Sequence, residues 1–290
     1  MGNGLATIGM RLSENDLAAA RIEGRSRVQR SRAVPPVRFV HPRAGDDAAL
    51  VFSSALGGGM LEGDDYRFSI DCGPGATMMF APQANTRIFP CPGGETTRQS
   101  IRGTVYADGL VVSGGDPVVP YAASRFSQSQ TWVVHPGARL VLVDWMIAGR
   151  LERGERFAFA DYESVTRVET PEGRPLLTDS LRLRPDEDGM ENVAAGFGGH
   201  AALLVVHVVG PGWETLHGPL DAWLRQPGTE SRPRWMAEAR LAGLGIREGR
   251  GFSLRALGAD RTALEPLAGL IFGCLADKDW LGFDFWARKY

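Results

Sequence analysis

Residues 66–81 read YRFSIDCGPGATMMFA, and this stretch decides the fold class. Tyr66, Phe68 and Ile70 alternate with polar neighbours, which is the period of a strand with one buried face. Gly73-Pro74-Gly75 then turns the chain into the apolar run 76–81, which reads as a second strand. Strand, turn and strand thus fit within sixteen residues, and the same punctuation by Gly, Pro and Asp continues outward in both directions to about residue 210.

Two further turns extend the pattern. Asp108-Gly109 lies between TVYA and LVVS, where a type I′ turn predicts a β hairpin. Pro171-Glu172-Gly173 separates ESVTRVET from the alternating LRLR of residues 181–184 and predicts a second hairpin. Residues 138–147 differ, because Leu140, Leu142 and Met146 take one face while Val141, Val143, Trp145 and Ile147 take the other. That is a central strand covered on both sides, and Asp144 interrupts it. A carboxylate there costs several kcal/mol unless it is paired, hydrogen-bonded or metal-bound.

After Gly212 the pattern changes to helical spacing. Leu216, Leu220, Trp223 and Leu224 predict one helix ending near Gly228, and Pro233 after Ser231 predicts a second. A strand at Phe252 to Leu257 precedes a third helix carrying Leu264, Leu267, Ala268, Ile271 and Leu275. With no fixed-period repeat and no long linker, the expectation is a single domain over 1–290, β-rich over 1–212, with a helical layer and a late strand over 213–290.

Charge and cysteines narrow the function classes. The formal charge is −2 and spread along the chain, so the whole-molecule field does not recruit nucleic acid or an anionic membrane. The run RIEGRSRVQRSR at 21–32 holds five arginines without interleaved aromatic stacking platforms, and it reads as an exposed strand. Cys72, Cys91 and Cys274 are odd in number and never form a CxxC pair, which fits a reducing compartment. No cationic start with an apolar h-region and no apolar run of spanning length is present, so a cytoplasmic location is expected.

Motifs of covalent chemistry are missing from the sequence. There is no GxxxxGK[ST], GxSxG or HExxH, and Gly57-Gly58-Gly59 reads as a tight turn. Among the histidines only His207, within ALLVVHVVG, falls on a buried strand, where a satisfied core imidazole is the plainer account.

The segment GGMLEGD at 58–64, followed by APQANTRIF at 81–89, resembles the hallmark pair of the urease accessory protein UreD (UreH) family. The resemblance continues through DPVVPYAASRFSQ at 116–128, PGARLVLVDWMIAGRLERGERF at 136–157, PLLTDSLRL at 175–183 and the terminal FWARKY, and spans from about Val28 to the end. Arg87 stands where the family commonly has lysine, and Phe89-Pro90 stands where it has Tyr-Arg. The resemblance implies a mainly β, partly β-helical scaffold with a few helices near the C-terminus. It also implies a non-catalytic role: binding of UreF, through it the nickel-carrying GTPase UreG, commonly as a dimer of heterotrimers, and docking on apo-urease.

No tightly bound cofactor is expected, and the metal is transient Ni2+ in passage. Nickel takes imidazole, carboxylate, carbonyl and water ligands, so weak oxygen sites suit a passage better than a thiolate cage. Asp144 is the leading candidate, with Asp64, Asp65, Thr86 and Asp179 as further polar lining. Turn capping by Asp64, a solvated strand position for Asp179, and an ion pair of Asp144 with Arg125 or Arg150 are the alternatives. In the DWLGFDFW tail, Trp280, Phe283, Phe285 and Trp286 are candidate partner contacts, with core packing as the alternative. Two rival functions remain at this level: a glycan-active enzyme using paired carboxylates such as Asp64 with Asp144, and a β scaffold of an assembly unrelated to urease.

Overall fold

The computed structural model describes residues 12–42, 48–225 and 251–289 of the 290-residue chain. The predicted helix after Ser231 and Trp235 within it lie outside the described residues.

The chain coils back and forth between two facing sheets. In the first sheet β1 (Leu12–Ile22) and β2 (Arg25–Arg32) form an antiparallel hairpin, and β3 (Val37–Val40) pairs antiparallel with β4 (Ala49–Ala55) in the second. From there the strands alternate: β5 (Asp65–Cys72) in the first sheet, then β6 (Thr77–Pro82) and short β7 (Thr86–Ile88) in the second. β8 (Thr97–Val105) returns to the first sheet, and β9 (Leu110–Gly114) and β10 (Val118–Pro120) to the second. β11 (Arg125–Val134) and β12 (Arg139–Ile147) make one more coil. β13 (Asp161–Glu169) and β14 (Pro175–Leu183) close the first sheet as a hairpin.

Two short helices follow, α1 (Pro185–Asp188) and α2 (Met190–Gly196), before β15 (Ala202–Val209) joins the second sheet. Then come α3 (Glu214–Arg225), β16 (Gly251–Gly258), α4 (Arg261–Leu275) and α5 (Phe285–Lys289). The sheet orders run in step, β14-β13-β11-β8-β5-β1-β2 and β16-β15-β12-β9-β6-β4-β3. Each coil therefore adds one parallel strand to each sheet, which makes this a β-solenoid-like, mainly β protein, as expected.

One hairpin expectation fails and its failure explains the solenoid. Asp108-Gly109 does turn the chain, with Gly109 N–H donating to Tyr106 C=O at 2.9 Å. Only Asp108 takes a positive φ, of 58°, whereas a type I′ turn needs two. The flanking strands β8 and β9 consequently enter different sheets. Their patterns already differed: β8 alternates buried and open positions, while Leu110, Val111 and Val112 are all buried. The hairpin at Pro171-Glu172-Gly173 forms as expected.

Two cores result. Side chains from the inner faces of both sheets, among them Phe68, Met78, Phe126, Trp132, Leu142 and Val205, fill the space between them. The outer face of the second sheet presents Val141, Val143, Trp145, Leu204 and Val206 to α3, α4 and the C-terminal segment, forming a second core. Asp260 caps α4 by accepting from Ala263 N–H. The α4 stripe of Leu264, Leu267, Ala268, Ile271 and Leu275 is buried, each large residue contributing about 1.5–3 kcal/mol.

Candidate functional site

The space between the sheets is not filled throughout. A cavity of about 200 Å³ lies by β7, lined among others by Gly59, Tyr66, Thr86 and Gln99, with exposed Gly58 and Arg87 at its rim. A second cavity of about 70 Å³ shares Ser53, Phe68, Pro82, Thr86 and Gln99 with the first and extends to Gln128 and Asp144. A third, about 10 Å³, or room for a single water, shares Asp144 with the second and reaches Ser164, Asp179 and Arg255. The three share walls in sequence, leading from the loop after β6 to the edge where β14 faces β16.

Asp144 sits at the junction of the second and third cavities. Strand alternation puts it on the inner face of β12 with Leu142 and Met146. Gln128 Nε2 donates to its two oxygens at 3.0 and 2.8 Å, and Ser164 Oγ donates to Oδ2 at 3.0 Å. Gln128 Nε2 also reaches Ser164 Oγ at 2.9 Å. The expected arginine partners are engaged elsewhere, Arg125 with Asp186 at 3.0 Å and Arg150 with Glu155. Neutral donors satisfy the carboxylate without neutralising it, so its negative charge remains directed at the cavities.

The neighbouring groups register that charge. Burial first, and then Asp144, push the Tyr162 phenol well above its ordinary range. Burial lowers His207 to about 4, with Asp144 opposing, so the imidazole is neutral at physiological pH. Asp179, inward on β14, pairs with Arg255 from β16 and so ties the two sheets together at this edge.

The remaining sequence candidates divide. Thr86 lines the first two cavities and Asp179 the third. Asp64 is buried and caps a turn, accepting from Leu61 N–H at 2.8 Å and from Tyr66 Oη–H at 3.1 Å. Asp65 is buried beside Arg67, which donates to it at 2.6 Å. Neither Asp64 nor Asp65 lines these cavities, so Asp64 and Asp144 do not face one another across a shared cleft. The aromatic tail is mostly core: Trp280, Phe283 and Phe285 are buried, and Trp286 is half-buried and stacked on Phe272 with centroids 5.6 Å apart. A helical cover needs large side chains to seal the second sheet, and the tail supplies them.

Sequence reading missed Gln128, Ser164 and Arg255. Gln128 sits in the quoted family segment, but nothing local indicates that it faces Asp144, sixteen positions away. Among the described residues no group of three or more His, Cys, Asp or Glu side chains is placed to hold a metal ion, and no helix is long and apolar enough to cross a membrane.

Residues 13–282 match the family described as UreD urease accessory protein. The chain is similar to the urease accessory protein UreD of Cytophaga hutchinsonii, 31% identical over 92% of this chain and 95% of that one. The corresponding protein of Sorangium cellulosum is 33% identical over 95% of this chain and 83% of its own length. The urease accessory protein D of Arabidopsis thaliana is 26% identical over 69% of this chain and 68% of its own length.

Proposed function

From the premise that this chain belongs to the UreD urease accessory protein family, we propose that it is a non-catalytic scaffold through which nickel passes on its way to apo-urease. In this reading it binds a UreF-type helical protein, through it a UreG-type GTPase, and docks on apo-urease, commonly as two copies of each component. Nickel is cargo. The row of wall-sharing cavities, with Asp144 at its junction, carries the reading.

The chemistry of that row suits transit. A divalent cation moving between the sheets, exchanging its waters for protein ligands as the cavities narrow, meets hydroxyl and amide groups at Thr86, Gln99 and Gln128, then the Asp144 carboxylate, then Asp179. Each can exchange for a water ligand, and no thiolate cluster is present among the described residues to retain the metal. A low-dielectric wall around Asp144 strengthens its pull on a cation relative to bulk water. The helical cover, where Trp286 keeps an open edge, is the candidate surface for the UreF-type partner.

Co-expression with the UreF- and UreG-type proteins of the same source tests this, with urease activity and complex mass as readouts. The wild-type chain should form a ternary complex that activates apo-urease, and Asp144→Ala should assemble equally well but activate poorly. A folded wild-type chain that binds neither protein would defeat the scaffold reading. An Asp144→Ala chain that activates fully would defeat the route.

A further inference from the structure

At the β14/β16 edge lies a group of side chains that structural needs alone leave incomplete. His207 is on β15, its side chain 3% exposed, with Nδ1 at 2.7 Å from Ser253 Oγ. Its Nε2 is buried and has no hydrogen-bond partner. The nearest carboxylate oxygen, Asp179 Oδ2, stands 3.5 Å away, long for a hydrogen bond. The other oxygen of Asp179 is taken by Arg255, which reaches across from the second sheet and remains 48% exposed.

The spacing has a physical meaning. In the tautomer that donates Nδ1–H to Ser253 Oγ, the Nε2 lone pair faces Asp179 Oδ2, and a cation between them would relieve that repulsion. Nitrogen and oxygen each about 2.1 Å from a first-row divalent ion stand about 3.0 Å apart when they are cis ligands. The observed separation is half an ångström wider, within the reach of a side-chain adjustment. Ser253 then holds the second ring nitrogen, as outer partners of metal-bound imidazoles do.

The geometry points to a divalent-cation subsite formed by His207 Nε2 and Asp179, held closed by the Arg255 guanidinium. Arg255 is the resident positive charge on Asp179, and an arriving metal ion takes its place while the half-exposed side chain swings to solvent. Two protein donors with water completing the coordination make a weak site, suited to an ion in passage. The inference takes its choice of cation from the nickel-delivery reading and otherwise stands on the geometry of this edge.

Titration of the purified full-length chain with Ni2+ alone, by calorimetry, tests it. Arg255→Gln removes the competing charge and should tighten Ni2+ binding about tenfold. Asp179→Asn and His207→Leu, each placed in the Arg255→Gln background, should abolish that gain. With Co2+ as a paramagnetic probe, a shifted imidazole N–H resonance should appear in Arg255→Gln and vanish on adding His207→Leu, folding being checked by thermal unfolding. Unchanged or weaker Ni2+ binding by Arg255→Gln overturns the subsite, and this variant suffices even where His207→Leu fails to fold. The two readings fail separately. A subsite lost while Asp144→Ala still blocks urease activation leaves delivery standing, and a subsite found in a chain that never activates urease removes delivery alone.

Discussion

The two sheets are wound from the same coils yet live in different environments. The second sheet is covered twice, by its partner sheet inside and by α3, α4 and the C-terminal segment outside. Among the described residues nothing covers the outer face of the first sheet, where Ser69, Arg102, Arg167 and Thr178 are exposed. The registers place Arg102 beside Thr131 and Thr131 beside Arg167, so one row across this face is hydroxyl and guanidinium. One chain thus writes two strand patterns in alternation, polar-apolar for the first sheet and continuously apolar for the second. Asp144 draws notice because it breaks the second pattern.

Substitutions in the two environments should report the difference unequally. Phe272, fully buried between the rings of Phe285 and Trp286, belongs to the helical cover. Phe272→Ala should cost about 3–5 kcal/mol in denaturant unfolding, and a much smaller loss would show the cover to be loosely held. Between the sheets, burial pushes the Cys72 thiol up to about 12. At pH 8 its thiolate population is then about a thousandfold below that of a thiol titrating at 9. Alkylation mapped by mass spectrometry should spare Cys72 in the native chain and reach it only after unfolding.

A smaller effect is expected where the first sheet meets the inner core. A Cβ on Gly103 would meet the Trp132 ring at 2.1 Å, from the adjacent strand. Gly103→Ala should destabilise by about 1–3 kcal/mol through overpacking, measured as a fall in the unfolding midpoint at constant slope. The smallest effect belongs to the outer face of the first sheet. Ser129 is exposed there, and Ser129→Ala should stay within about 0.5 kcal/mol. A larger change would mean that the outer face of the first sheet is not simply solvated.

Much of the fold was legible because strand period, turn chemistry and two-sided apolar runs are local signals. The TVYA and LVVS segments carried different burial patterns, yet a turn dipeptide between them suggested pairing, since turn chemistry marks a change of direction without naming the sheet entered next. Of the site, Asp144 was legible as a charge on an apolar strand, and Thr86 and Asp179 through the family motifs. Asp64 and Asp65 were also read from a family motif, and the structure places Asp64 as a turn cap and Asp65 beside Arg67. The aromatic tail read equally well as interface and as core, and its burial was settled by the second sheet's need for a cover.

Local patterns in the chain specify the class of fold, the resemblance to the family, helices near the C-terminus, and an acid on an apolar strand in need of partners. These follow from periodicities and from ordered motifs within short windows. Which groups surround that acid is set by the fold, because Gln128, Ser164, His207 and Arg255 come from different strands and converge through solenoid winding. Coils that stack in register bring residues tens of positions apart to one level between the sheets, and no local pattern in the chain records that stacking.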